Sequence, residues 1–226
     1  MKQNLFLLCI LCLTTACSGL PKVYPDRNLS WPVRRPQCAN LFPEGRWQFS
    51  HAIEAEMPGG RKGMLIGVTL ISSTDKTIQS IIMTIEGMVL FEARYDRRLV
   101  VNRGIPPFDA ENFARGLIQD IQLIFFAPPG TLIESGVLDN GAAVCRFQNP
   151  DKGYVDIIQH GPGGWEIRQY DRRYHKRRSI KAILNKGGIN PGRFNVPGRL
   201  TLTSHDTPGY VLKMDLIEAV PLKDNK

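Results

Sequence analysis

From Gly45 onward, apolar and polar positions alternate with a period of two, as expected of strands that bury one face. Trp47, Phe49, His51, Ile53 and Ala55 alternate with Gln48, Ser50, Glu54 and Glu56, and Pro58-Gly59-Gly60 follows as a turn. Residues 63–95 read as a three-strand meander. Met64, Ile66, Val68 and Leu70 share one face of its first strand, Ile81, Met83 and Ile85 one face of the second, and Val89, Phe91, Ala93 and Tyr95 one face of the third. Ser73-Thr74-Asp75-Lys76 and Glu86-Gly87 supply the two turns. A short strand is expected at 99–101. The period then changes. Phe113, Leu117, Ile121 and Ile124 recur at helical spacing behind Asp109, a suitable N-cap, and Glu111, whose charge suits the first turn. Pro128-Pro129-Gly130 ends that segment. The pattern predicts one helix over about 110–126, lying across the open apolar face of the sheet. Strands resume over 131–134, 142–148, 153–159 and 163–170. In the last of these Trp165, Ile167 and Gln169 point one way and Glu166, Arg168 and Tyr170 the other. Residues 199–204 and 210–220 predict a closing hairpin, with Tyr210, Leu212, Met214 and Leu216 on one face. The fold class is mainly β with α: an antiparallel sheet covered by a mid-chain amphipathic helix.

The first 44 residues follow a different logic. Lys2 precedes an apolar run over 5–13 that is too short to span a bilayer comfortably, and Thr14-Thr15-Ala16-Cys17 follows. This is the layout of a secretory signal peptide. A cysteine directly after Ala16 resembles the lipobox of bacterial lipoproteins, with Leu13 one place earlier than the usual leucine. That resemblance implies removal of residues 1–16 and acylation of Cys17 with palmitate-type chains. Ser18, in place of an aspartate, then points to the outer membrane, facing the periplasm. The alternative is an ordinary cleaved signal, or a short anchor with an incidental cysteine. Pro21, Pro25, Pro32, Pro36 and Pro43 make 17–44 an extended tether, leaving 45–220 as the folded domain and 221–226 as a polar tail. Trp31 and Phe42 either dock on the body or meet the lipid interface. Cys38 and Cys145 remain after cleavage as an even pair in an oxidising compartment, either joined as a disulfide or buried as two separate thiols.

A composition of 42% hydrophobic and 22% charged residues over 226 positions belongs to a folded protein. The net charge of +8 favours anionic surfaces. Its densest part is Arg168, Arg172, Arg173, Lys176, Arg177, Arg178 and Lys181. Export removes nucleic acid as a partner, leaving anionic lipid, lipopolysaccharide phosphate or an acidic protein; a solvated face is the plain alternative. His51, His160, His175 and His205 lack ligand spacing, so no metal site is expected, and no other cofactor is implied. No G-x-S-x-G or other catalytic motif is present, and an enzyme is not expected. Asp96, Asp109 and Asp120 read as turn, cap and helix-surface positions.

Three stretches carry a family resemblance. TIQSIIMTIEGMVLFEARYD over 77–96, QDIQLIFFAPPG over 119–130, and GGWEIRQYD with VPGRLTLTSHDTPGYVLKMDLIEA over 163–171 and 196–219 resemble the LolA/LolB superfamily of lipoprotein-localisation factors. The phrase LIQDIQLIFFAPP is also similar to a related lipoprotein family of unassigned function, encoded beside aryl-polyene pigment pathways. The turn Ile85-Glu86-Gly87-Met88 departs from the exposed apolar loop of LolB, being shorter and charged, which favours a specialised carrier over the housekeeping factor. The resemblance implies a strongly curved, incomplete β-barrel with a helical lid and an apolar cavity between them. Met64, Ile66, Val68, Ile81, Met83, Ile85, Phe91, Leu117, Ile121, Leu212 and Met214 are the residues compatible with its lining. The same side chains would also fit a dry core. The expected function is an outer-membrane-anchored periplasmic lipoprotein that binds or accepts an acyl or polyene-lipid ligand, or a lipoprotein, for envelope transport. The alternative is a structural or assembly lipoprotein that binds an anionic or protein partner through its basic segment.

Overall fold

The computed structural model describes residues 19–25, 41–184 and 195–223. A single antiparallel sheet runs through them. Its strands are β1 (Arg46–Glu56), β2 (Lys62–Ser72), β3 (Thr77–Met83), β4 (Val89–Asp96), β5 (Arg98–Gly104), β6 (Thr131–Val137), β7 (Ala143–Gln148), β8 (Tyr154–Gln159), β9 (Gly164–Tyr170), β10 (Lys176–Leu184), β11 (Pro197–Ser204) and β12 (Tyr210–Leu222). Their order is β5-β4-β3-β2-β1-β12-β11-β10-β9-β8-β7-β6, so the sheet is open, with β5 and β6 at its edges. Helix α1 (Glu111–Phe125) connects those two edge strands and lies in the concave face. This is the expected curved, incomplete barrel with a helical cover. Bulges between Ser50 and His51 and between Ile82 and Met83 interrupt the ladder, and such insertions bend a sheet.

Two elements differ from the expectation. The basic stretch forms β10, with Ile180 and Ala182 inward and Lys181 and Ile183 outward. The N-cap of α1 is Ala110, with no side-chain cap bond, in place of Asp109. Trp31, Cys17, Cys38 and the signal segment lie outside the described residues. Phe42 is buried in the main core.

Register decides which side chains face the helix. Trp47, Phe49, His51 and Ile53 pair across β1–β2 with Ile71, Thr69, Gly67 and Leu65. Those in turn continue to Ile78, Ser80 and Ile82 on β3, and to Tyr95, Ala93 and Phe91 on β4. On the other flank the concave face continues through Met214, Leu212, Leu200, Leu202, Ile180, Ile167 and Ile157. Phe125 of α1 stacks on Phe49 with ring centroids 4.5 Å apart. The convex face is buried too over β7–β9. There Asp156 accepts two bonds from the Arg146 guanidinium, at 2.7 and 2.8 Å, and Glu134 accepts a third at 2.7 Å.

Candidate functional site

Between α1 and the concave face lies a cavity of about 90 Å³. The helix contributes Phe113, Leu117, Ile121, Ile124 and Phe125 to it. Their spacing of three and four residues keeps them on one face. The sheet contributes Ile53, Leu65, Ile82, Leu202, Leu212 and Met214. Gly67 also stands in the wall, where a Cβ would come within 2.6 Å of the Ile53 side chain. The polar members are His51, Thr69, Ser80 and Asp120. His51 lies beside the stacked rings of Phe49 and Phe125, 6.3 and 6.4 Å from their centroids, and its burial pulls the imidazole down to a pKa of about 4 against the opposing attraction of Asp215.

Of the residues expected to line a cavity, Leu117, Ile121, Leu212 and Met214 line this one. Phe91 is fully buried beside it, edge-on to Phe113 at 5.2 Å. The other six require correction. Met64, Ile66, Val68, Ile81 and Met83 project from the convex side, because Ile66 pairs with Met83 and Val68 with Ile81 on the face opposite Leu65, Gly67 and Ile82. Ile85 lies in the β3–β4 turn and is exposed. The cause is an apolar composition on both faces of β2 and β3, which leaves alternation ambiguous by one residue. The cavity wall there is made by the residues between, among them Thr69 and Ser80.

Asp120, expected on the helix surface, is 4% exposed and faces the sheet. It accepts from Arg178 Nε at 3.0 Å and from the Tyr210 hydroxyl. Arg178 also donates to Asp206 and lies over the Tyr210 ring. Burial pushes the Asp120 carboxyl up, against the pull of Tyr210 and Arg178. These four side chains pin the middle of α1 to β10, β12 and the turn between β11 and β12. The signal for Asp120 was present in the sequence: it stands three residues after Leu117 and four before Ile124, inside the apolar stripe.

The basic run does not act as one cluster. Arg178 belongs to the pin. Arg168 chelates Glu166 on the convex face, and Lys181 is exposed opposite it. Arg177 pairs with Asp206 at 2.6 Å. Arg172, Arg173 and Lys176 are exposed at the β9–β10 turn. Beside the pin, on the other flank of α1, a cleft of about 780 Å³ is lined by Gln119, Gln122, Gln169, Tyr170, Arg177 and Asp120 itself. The remaining histidines are dispersed. His205 meets Ser179, His160 lies beside Glu166, and His175 beside Asp171. Cys145 is disulfide-bonded, and Cys38, its expected partner, falls outside the described residues. No helix among the described residues is long and apolar enough to cross a membrane.

An open, strongly curved antiparallel sheet wrapped on a helix that joins its two edges is a LolA-like fold. Among solved structures, a LolA superfamily protein from Nitrosomonas europaea matches 84% of this chain and 92% of its own, with 14% identity and a TM-score of 0.53. A domain from Vibrio parahaemolyticus described as an outer membrane lipoprotein-sorting protein matches 85% and 92%, with 9% identity and a TM-score of 0.48. No protein-family model and no curated protein matches the sequence.

Proposed function

We propose that this chain is a non-enzymatic carrier or acceptor of a hydrophobic ligand, an acyl or polyene-lipid chain or the acyl chains of a lipoprotein, anchored by Cys17 to the outer membrane and facing the periplasm. The observation that carries the reading is the apolar cavity between a fixed sheet and a helix. Largely apolar concavities with a few placed polar groups are the usual form of a hydrophobic ligand site. The lipobox and the LolA-like fold support the same reading. As it stands the cavity is smaller than the void of about 150 Å³ that can hold a benzene molecule in a protein core. A full chain therefore enters only if α1 lifts from the sheet.

Native mass spectrometry of protein beginning at Ser18, followed by organic extraction, tests this. A co-purifying fatty acid, phospholipid or polyene is expected, released on denaturation and absent from Leu117→Glu when that variant is folded. A clean apo mass that persists after incubation with lipid would show that the cavity is only an imperfection of a filled core.

A further inference from the structure

The cavity beneath α1 and the cleft on its other flank meet at one residue. Asp120 stands in the wall of both. The helix divides them: Leu117, Ile121 and Ile124 line the cavity, while Gln119, Gln122 and Leu123 line the cleft. At about 780 Å³ the cleft falls within the range of small-molecule sites, about 300–1,000 Å³. Leu123, Phe126 and Val155 give it apolar surface, and Gln169 of β9 stands beside Val155 in register.

The groups left unclaimed in the cleft define what it can hold. Its charged residues are already engaged. Arg178 donates to Asp120 and Asp206, and Arg177 pairs with Asp206 at 2.6 Å. Asp171 accepts from the backbone amides of Arg173 and His175, and Asp151 from that of Gly153. Lys76 lies over the Phe126 ring, 5.0 Å from its centroid. A carboxylate or phosphate would have to open an ion pair or draw Lys76 off its ring to find a cation. Gln119, Gln122 and Gln169, by contrast, have no hydrogen-bond partner among the described residues. Each amide offers donors and an acceptor side by side, and neighbouring hydroxyls of a polyol answer both. A peptide suits the cleft less. β8, β9 and β10 are interior strands whose backbone groups pair with one another, and Pro128 and Pro129 in the same wall carry no N–H.

We infer that the cleft is the headgroup site of the carried lipid, and that the head it takes is an uncharged polyhydroxyl group, a glycosyl head. This rests on the reading of the cavity as a chain-binding site. The apolar chain lies beneath α1, the head rests against Gln119, Gln122 and Gln169, and the two join past Asp120. The apolar surface of Leu123, Phe126 and Val155 meets the C–H face of the sugar, while the amides meet its hydroxyls. The site thus selects its cargo by the head, which the apolar cavity cannot do, since a chain offers it no polar group to read.

The test uses amphiphiles that share a dodecyl-length chain and differ in the head: dodecyl maltoside, dodecylphosphocholine and dodecanoic acid. Each is titrated calorimetrically, below its micelle concentration, into the chain from Ser18, which holds every described residue of the fold. The same titrations are run on Gln122→Leu and Gln169→Leu, whose side chains lie outside the cavity wall. The parent is expected to bind the maltoside most tightly. Each variant should bind the maltoside about twofold to tenfold more weakly, the effect of one neutral hydrogen bond, and dodecanoic acid as the parent does. Equal affinity for the three heads, a preference for a charged one, or variants that leave the maltoside unchanged or weaken the fatty acid alongside it would overturn the headgroup site and leave the chain site standing. No binding of any of the three by the parent would overturn the chain reading, and the headgroup site with it.

Discussion

Burial among Phe49, Phe125 and the cavity wall keeps His51 uncharged down to a pKa of about 4. In an unfolded chain the same imidazole titrates near 6.5. Between those values the unfolded state binds a proton that the folded state refuses, so stability falls as the pH drops from about 6.5 toward 4. Above 6.5 the group contributes no slope. The full effect is up to about 3 kcal/mol, at about 1.4 kcal/mol per pH unit of separation. His51→Leu removes the titrating group and keeps an apolar filler in the wall. Denaturant unfolding at pH 7 and pH 4.5 should therefore show a smaller acid loss in the variant than in the parent, by about 2–3 kcal/mol. Identical losses would mean that the imidazole is protonated or solvated inside the fold.

At the scale of the element, β2 offers the sharpest contrast between neighbours. Leu65 lines the cavity, while Ile66 projects from the other face. Leu65→Glu should therefore abolish retention of extractable lipid, and Ile66→Glu should leave it near the parental level, provided both are folded by circular dichroism. Equal loss in both would place the ligand somewhere other than beneath α1. The same strand explains what could be read from the sequence. β1 and β9 alternate apolar with polar residues, and that pattern alone separates their two faces. Tyr210, Leu212, Met214 and Leu216 of β12 were legible for the same reason, as were Leu117 and Ile121 of the helix. In β2 and β3 the run of Met64, Leu65, Ile66, Val68, Leu70 and Ile71, then Ile78, Ile81, Ile82 and Met83, is apolar on both sides. Period two then carries no sign, and only the pairing with β1 sets it. Residues that make the wall by being small or polar, Gly67, Thr69 and Ser80, give no hydrophobic signal. β10 carries no clean periodic signal, because Lys181 and the apolar Ile183 share its outward face, the cationic Arg178 shares its inward face with Ile180 and Ala182, and it opens on an Arg-rich turn. Residues 19–25 pack on partners more than a hundred positions away, Tyr24 bridging to Val137 and the Pro21 carbonyl accepting from Arg146, which local pattern does not reveal.

At the scale of the molecule, function on this reading depends on moving one helix against a sheet that surrounds it. The apolar contacts of α1 are spread along its length, but its directional bonds to the sheet meet at Asp120, where Arg178 and Tyr210 both donate. A hydrogen bond to a charged group is worth about 1.5–3 kcal/mol net. Lifting the helix breaks this pin, so its strength enters the opening free energy directly. Tyr210→Phe removes one donor and preserves the ring under Arg178 and the packing against the core. If the pin holds the lid, that variant should exchange bound lipid about tenfold to a hundredfold faster, since about 1.4 kcal/mol corresponds to a factor of ten. Stopped-flow release of a fluorescent fatty acid reads this directly, beside a thermal unfolding curve for each protein. Loss of stability with an unchanged release rate would assign Asp120, Arg178 and Tyr210 to holding the fold alone. The ligand would then leave by a route that keeps the helix in place, past Met57, which follows β1, lines the cavity and is exposed.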